Sequence, residues 1–210
     1  MTPAAAPARL YLVTPMDFDP EPFAALVDRA LAAHGVACLR LDLGAAPEEQ
    51  WRVAANFLLP VAHAHDVALV IVDHHRLVEP LGLDGVHLAA SRTTVREVRK
   101  ALGPDRIIGA FAGVSRHIGM ALAEAGADYV AFGPVGETGG LGDGSRAGDE
   151  IFEWWAEMIE TLVVAEGAVT PADAARLAPF TDFVVPDLGM WTAPEGIEAA
   201  LAAYAVALAE

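Results

Sequence analysis

The chain has 210 residues, 54% of them hydrophobic, and its 13 basic and 29 acidic residues give a net charge of −16. This length suits one domain with a sizeable core, and the acidic surface argues against nucleic acid and anionic lipid as partners. No apolar run approaches the ~20 residues of a membrane helix, and the start shows no signal-peptide pattern. Because Cys38 is the only cysteine, we expect a reducing, cytoplasmic location.

Short apolar runs alternate with longer amphipathic segments after residues 1–8, an Ala- and Pro-rich stretch that we expect to be a flexible arm. The predicted strands are Leu10–Thr14, Val36–Leu41, Ala68–Val72, Gly85–Leu88, Arg106–Ala110, Tyr129–Phe132, Leu162–Ala165 and Asp182–Val185. The predicted helices are Pro22–His34, Pro47–His65, Thr94–Leu102, Ser115–Ala125, Gly148–Thr161, Pro171–Leu177 and Pro194–Leu208, and the segment after Asp73 is ambiguous.

Eight strand–helix alternations predict an α/β fold in which all strands run parallel. Eight such units close into a (β/α)8 TIM barrel, which we expect as a single domain over residues 9–210. An open doubly wound sheet is the alternative, but it usually has fewer strands and a glycine-rich first turn. The first turn here reads Thr14-Pro15-Met16-Asp17 and contains no glycine.

Polar residues collect where the predicted strands end, which is where barrels of this type bind their ligands. Buried strands have little reason to end in charged groups, so these residues are candidates for a site. They are Thr14, Arg40, Asp42, Asp73, His74, His75, His87, Arg116, His117, Glu137, Thr138, Glu166 and Asp187.

Two of these residues have a functional and a structural interpretation that the sequence leaves open. Arg40 lies in an otherwise apolar strand and could hold a phosphate, or it could form a barrel-interior salt bridge with Asp42 or another acid. Asp73 follows a run of apolar residues and could ligate Mg²⁺ or position a substrate, or it could cap a helix.

Three further features could serve acid–base chemistry or phosphate binding. His87 on a buried strand could be an acid or base, although a core histidine satisfied by backbone groups is the commoner case. Ser115, Arg116 and His117 open a helix whose N-terminus would attract anions, or they are a cap and two solvated side chains. The glycine-rich segment 136–140 offers backbone N–H groups to a phosphate, or it is a mobile lid.

Several fragments resemble the thiamine phosphate synthase family, over roughly residues 9 to 190. The most specific fragment runs from Ala125-Gly126-Ala127-Asp128-Tyr129-Val130 to Gly133-Pro134-Val135. The others are Leu10-Tyr11-Leu12-Val13-Thr14, Asp84-Gly85-Val86-His87-Leu88, Ile107-Ile108-Gly109 and Val164-Ala165-Glu166-Gly167-Ala168-Val169-Thr170-Pro171.

The resemblance implies a TIM barrel acting in thiamine biosynthesis as a transferase. Family enzymes join a hydroxymethylpyrimidine diphosphate to a thiazole phosphate and release pyrophosphate with Mg²⁺. A sister branch, the thiazole tautomerases, keeps the barrel and moves protons with a histidine. The implied partners are small phosphorylated molecules, and exposed apolar helix faces would suit a homodimer.

The chain departs from the family pattern at several strand ends. The second-strand Gln-x-Arg-x-Lys keeps only Arg40, and Arg92 stands where a Mg²⁺-binding Asp follows the fourth strand. The family serine after the fifth strand appears as Phe111 unless Ser115 substitutes, and the family Thr-x-Thr-Lys loop keeps only Thr138. Paired glycines are reduced to Gly167, and the eighth-strand serine is replaced near Pro186 and Asp187.

The sequence therefore leaves three functions open: a thiamine phosphate synthase-like transferase whose activity is weakened, a thiazole tautomerase-like isomerase, and a non-catalytic paralogue that binds a thiamine-related phosphate. The predicted catalytic residues are Arg40, Asp73, His87 and His117, with Asp73 also the predicted metal ligand. The predicted phosphate-binding residues are Arg92, Ser115, Arg116, Thr138 and Gly167, and Arg92, Arg116, His117 and Arg146 could form a replacement basic patch.

Overall fold

A computed structural model describes residues 7–33, 35–89, 94–138, 141–142 and 144–209, and within them eight parallel strands form a closed barrel in chain order. The strands are β1 Arg9–Val13, β2 Val36–Leu41, β3 Ala68–Val72, β4 Gly85–Leu88, β5 Ile107–Phe111, β6 Tyr129–Phe132, β7 Leu162–Val169 and β8 Phe183–Pro186. The helices are α1 Pro20–Ala33, α2 Glu48–Ala64, α3 Val78–Leu81, α4 Val95–Leu102, α5 Arg116–Glu124, α6 Asp149–Met158, α7 Pro171–Leu177 and α8 Ile197–Ala209. The predicted single-domain TIM barrel is thus confirmed, and the open sheet is excluded.

The helix boundaries follow local capping signals. Thr94 caps α4 and Thr170 caps α7, each in a capping box with the acidic residue three positions later. Pro171 supplies the fixed φ of the first turn of α7. Gly103 ends α4 with a φ of 76°, a left-handed value that glycine adopts without steric cost.

Strand β7 is longer than predicted, and the correction matters for the site. The prediction ended this strand at Ala165, whereas β7 continues to Val169 through a shift of register against β8. Gly167 and Ala168 have φ values of 89° and 51° in that stretch. Because a left-handed pair interrupts the alternating pattern, the sequence periodicity could not carry the strand this far.

The last helix starts later than predicted, and the segment that the sequence left ambiguous takes a defined form. The last helix was predicted from Pro194 but begins at Ile197, because a 3-10 turn over Leu188–Thr192 occupies the start of the connection. Asp187 caps that turn by accepting a hydrogen bond from the Gly189 N–H at 2.8 Å. The ambiguous segment after Asp73 becomes a 3-10 turn over His75–Leu77 followed by the single turn of α3.

The apolar residues form two separate cores. The larger lies between the barrel wall and the helices and includes the buried Trp51 and Trp155. The smaller fills the barrel interior and contains Tyr11, Cys38 and Tyr129. Successive residues along a strand point alternately into the larger and the smaller core, as expected for a sheet buried on both faces. None of the described helices is long and apolar enough to cross a membrane.

Candidate functional site at the barrel mouth

A cavity of about 390 Å³ opens at the carboxyl ends of the strands, where barrel enzymes place their sites. Residues of β1, β2, β7 and β8 line this cavity together with residues of the segment after β6. We call the part that the buried strand residues form its floor. The lining residues are Val13, Met16, Arg40, Asp42, Glu137, Thr138, Leu141, Glu166, Gly167, Ala168, Val185, Pro186, Asp187 and Leu188. We call this space the mouth cavity.

A buried ion pair lies among the residues that line the mouth cavity. Arg40 of β2 and Glu166 of β7 meet with 2.7 Å between Nη2 and Oε2, and their side chains are only 9% and 2% exposed. Burial lowers the pKa of Arg40, but the Glu166 carboxylate together with Tyr11 and Tyr129 outweighs burial, so the guanidinium pKa is raised and the side chain stays charged. The salt bridge expected as the structural alternative for Arg40 therefore exists, with Glu166 as the partner rather than Asp42.

Below the ion pair, aromatic residues continue the polar contacts into the barrel. The Arg40 guanidinium carbon lies 5.6 Å from the centre of the Tyr11 ring, within cation–π range. The hydroxyls of Tyr11 and Tyr129 are 2.6 Å apart, and the Tyr129 hydroxyl is 3.0 Å from Nδ1 of His87. Arg40 is thus held from below by a chain of contacts that ends at His87.

His87 is fully buried inside the barrel, and it is not among the residues that line the mouth cavity. Burial, and then the positive charge of Arg40, hold the pKa of His87 well below 6.5, so the imidazole is neutral. The expected core position is confirmed, although Tyr129, rather than a backbone group, is its partner. Burial also raises the pKa of the Cys38 thiol to about 12, so that side chain is not a thiolate.

Two backbone segments pack together to form one wall of the mouth cavity. The N–H of Gly136 donates to the Gly167 carbonyl at 2.8 Å, and the N–H of Val135 donates to the Glu166 carbonyl at 3.0 Å. A Cβ on Gly133 would lie 2.3 Å from the Glu166 carbonyl oxygen, so only glycine allows this approach. The loop after β6 is therefore fastened to the β7 residue that carries the buried carboxylate.

Asp73 lies outside the mouth cavity, at the end of β3. Its φ is 54°, and its Oδ1 accepts a hydrogen bond from the Ala89 N–H at 3.0 Å, which ties the end of β3 to the end of β4. The helix-cap alternative for Asp73 is wrong, because the following 3-10 turn begins after His74 without a side-chain cap.

The predicted residues on α5 lie beside a second cavity, of about 460 Å³, between the segments that follow β5 and β6. Ser115 caps α5 by accepting from the Ile118 N–H at 3.3 Å, as expected. Arg116 lines this cavity, donates to the Glu150 carbonyl at 2.5 Å and lies over the Trp154 ring. His117 is exposed on α5.

The proposed basic patch is only partly assembled. Arg116 and Arg146 line the same cavity, but Arg146 forms an ion pair with Glu137. Arg92 lies outside the described residues. Of the predicted site residues, the mouth cavity therefore brings together Arg40, Thr138 and Gly167, while Asp73, His87, His117, Ser115 and Arg116 lie elsewhere on or inside the barrel.

Glu166 is the residue to which the sequence assigned no role. It appeared only as one polar strand end among many, because its partner Arg40 is far away along the chain. One signal was available: a glutamate inside the apolar run Leu162–Val169 has no reason to be buried without a counter-charge.

The described residues alone do not form a Mg²⁺ site. Among them, no three His, Cys, Asp or Glu side chains come together in a way that could hold a metal ion. Asp73 offers one carboxylate, and one of its oxygens already accepts the Ala89 N–H. Asp73 as a metal ligand accordingly stays a prediction.

The strand order and the position of the cavity define a (β/α)8 barrel with a cavity at its mouth. A family model described as thiamine monophosphate synthase matches residues 10–181. The chain is 42% identical to a thiamine-phosphate synthase of Rhodospirillum centenum, covering 93% of this chain and 95% of that protein. It is 34% identical to a thiamine-phosphate synthase of Erythrobacter litoralis, covering 100% and 99%.

A solved structure gives the same result at the level of the fold. The thiamine phosphate pyrophosphorylase of Pyrococcus furiosus superposes with a TM-score of 0.83 at 21% identity, covering 96% of this chain and 95% of that one. On the strength of the matched residues and the similar sequences, the chain belongs to the thiamine phosphate synthase family.

Proposed function

We propose that this protein joins a hydroxymethylpyrimidine diphosphate to a thiazole phosphate and releases pyrophosphate. The observation that carries the proposal is that the most specific family fragment and the seventh-strand fragment lead into the two segments that build one wall of the mouth cavity. The name of the relatives that are similar over nearly the whole chain supports the same reaction.

The proposed chemistry is a substitution at the pyrimidine methylene. The bond from this carbon to the diphosphate oxygen breaks, and the electron pair leaves with pyrophosphate. The thiazole nitrogen then donates its lone pair to the carbon, which forms a C–N bond and a positively charged thiazolium. The pyrimidine carbon is carbocation-like between these events, so groups that stabilise positive charge lower the barrier.

The charges of the mouth cavity suit this positive charge. Among the described residues that line it, Asp42, Glu137, Glu166 and Asp187 are acidic, and Arg40, which Glu166 neutralises, is the one cation. Carboxylates held in place before the reaction stabilise a developing cation without reorganisation cost. We place the diphosphate at the rim, beside the exposed Glu137–Arg146 pair, where solvent screens the Glu137 charge as it cannot screen the buried Glu166.

Incubation with the pyrimidine diphosphate and the thiazole phosphate, with and without Mg²⁺, tests the proposal. Oxidation of the product to a fluorescent thiochrome measures thiamine phosphate, and we expect it to accumulate with an equal amount of pyrophosphate. Recovery of both substrates unchanged under both conditions would refute the proposal. Conversion of a thiazole carboxylate phosphate without any pyrimidine would instead identify a tautomerase.

A further inference from the structure

We infer that Glu166 determines substrate specificity: with Arg40 it forms a donor–acceptor edge that recognises an aminopyrimidine ring. The inference rests on the proposed function and assigns the floor of the mouth cavity to one part of one substrate. Arg40 and Glu166 both line that cavity, although each side chain is more than nine-tenths buried.

Arg40 has hydrogen-bonding capacity that the described protein leaves unused. Its Nη2 meets Glu166, but its buried Nε and Nη1 atoms have no hydrogen-bond partner. A buried N–H without an acceptor costs about 1–3 kcal/mol. The side chain therefore favours a ligand that brings an acceptor to the cavity floor.

A phosphate is a poor candidate for that acceptor. The Glu166 carboxylate lies 2.7 Å from Nη2 of the same guanidinium, so a phosphate on Arg40 would be forced close to a buried negative charge. Like charges at such short range disfavour each other strongly where water is excluded. The diphosphate end of the substrate is accordingly better placed at the rim than at the floor.

A 4-aminopyrimidine has the complementary pattern. A ring nitrogen, which accepts, stands next to an exocyclic amino group, which donates, so the nitrogen would face Arg40 and the amino group would face Glu166. A carboxylate has lone pairs beyond those used by one arginine N–H. The apolar side chains of Val13, Leu141 and Val185 line the same cavity and suit a flat ring.

The pair is also held rigidly, as a recognition edge must be. The Tyr11 ring lies next to the Arg40 guanidinium, and the Glu166 backbone carbonyl accepts the Val135 N–H. Groups fixed in this way discriminate between ligands because they cannot turn to satisfy a wrong partner.

Calorimetry with two phosphate-free probes tests the inference on the unmodified protein. The first is 4-amino-5-hydroxymethyl-2-methylpyrimidine, and the second is its 4-oxo analogue, which reverses the pattern to a ring N–H beside a carbonyl. We expect the analogue to bind at least about tenfold more weakly, because both buried partners would be left unpaired. Equal affinities, or no binding of the amino compound at millimolar concentration, would overturn the inference.

The variant Arg40→Met/Glu166→Met provides the second test, because it removes both charges and leaves neither one buried alone. We expect it to bind the two probes with affinities within about twofold of each other. Glu198→Gln is the matched control, since it disrupts an exposed Arg29–Glu198 pair on the outer helices and should keep the full discrimination. Retained discrimination in the double variant would overturn the inference.

The two proposals fail separately. Formation of thiamine phosphate without discrimination between the probes would leave the function standing and refute the role of Glu166. Discrimination that depends on Arg40 and Glu166, without any product, would refute the transferase and keep the recognition edge.

Discussion

Inside the barrel, the Glu166 carboxylate and the Arg40 guanidinium form an ion pair that is almost fully buried. A buried pair of this kind contributes little net stability, because the cost of removing both charges from water offsets their attraction. Removing one partner is different, since the other charge remains buried and unpaired. Stability therefore does not explain the Arg40–Glu166 pair, and the recognition edge that we propose would give it a role.

Glu166→Gln should destabilise the protein by about 3–5 kcal/mol, because it leaves the Arg40 charge without a counter-ion. Arg40→Met/Glu166→Met should recover most of this loss, since apolar side chains can replace a buried ion pair at little cost. Urea unfolding of the two variants beside the wild type measures the difference. If Glu166→Gln were as stable as the wild type, water would have to reach the Arg40–Glu166 pair in solution.

His87 should make stability depend on pH. Its folded pKa is well below 6.5, the ordinary value that the unfolded chain recovers, so below pH 6.5 the unfolded state binds a proton that the folded state excludes. The His87 contribution is fully present above pH 6.5 and decreases as the pH falls from there towards the folded pKa. One such group changes the free energy of unfolding by at most about 1.4 kcal/mol per pH unit.

His87→Gln isolates this contribution, because an amide can still pair with Tyr129 but does not titrate. Urea midpoints measured between pH 8 and pH 5 should fall less steeply below pH 6.5 in the variant than in the wild type. Identical pH profiles would contradict the buried, neutral state of His87.

The individual elements of the fold were largely predictable from local sequence signals. The runs that became β2, β3, β4 and β6 have the predicted bounds, and so does α7. These signals depend only on residues that are close together in the sequence, so the sequence alone predicts these elements. The extension of β7 and the 3-10 turn after β8 could not be predicted, because both depend on contacts with distant segments.

Strand β5 carries a glycine that makes room for the buried tyrosine of its neighbour. Gly109 pairs with Tyr129, and a Cβ on Gly109 would lie 1.9 Å from that ring. Gly109→Ala should therefore displace Tyr129, disrupt its contacts with Tyr11 and His87, and cost about 1–3 kcal/mol.

Thermal unfolding measures this cost, and Gly35→Ala is the control because no atom lies within 4 Å of its added Cβ. The control should be nearly neutral. An equally small effect at both glycines would show that the barrel interior is loosely packed around Tyr129.

At the scale of the whole molecule, ring closure decides which polar strand ends meet. It places Arg40 next to Glu166 and joins Thr138 and Gly167 to the same cavity, but it keeps Asp73 and His117 in other sectors. The sequence predicted one rim for all of these residues. The order of the strands around the ring and the direction of each side chain place these residues at different positions. Residue type alone does not predict those positions.

Hydrogen–deuterium exchange with the pyrimidine diphosphate tests most directly whether the mouth cavity is the substrate site. We expect slower exchange in residues 36–42, 133–138 and 164–170, which border the mouth cavity. A cavity of about 320 Å³ between the β1–α1 connection and α2 provides the comparison, lined by Asp17, Phe18 and Gln50 among others. Protection confined to residues 17–20 and 49–54, or no protection anywhere, would contradict binding at the mouth cavity.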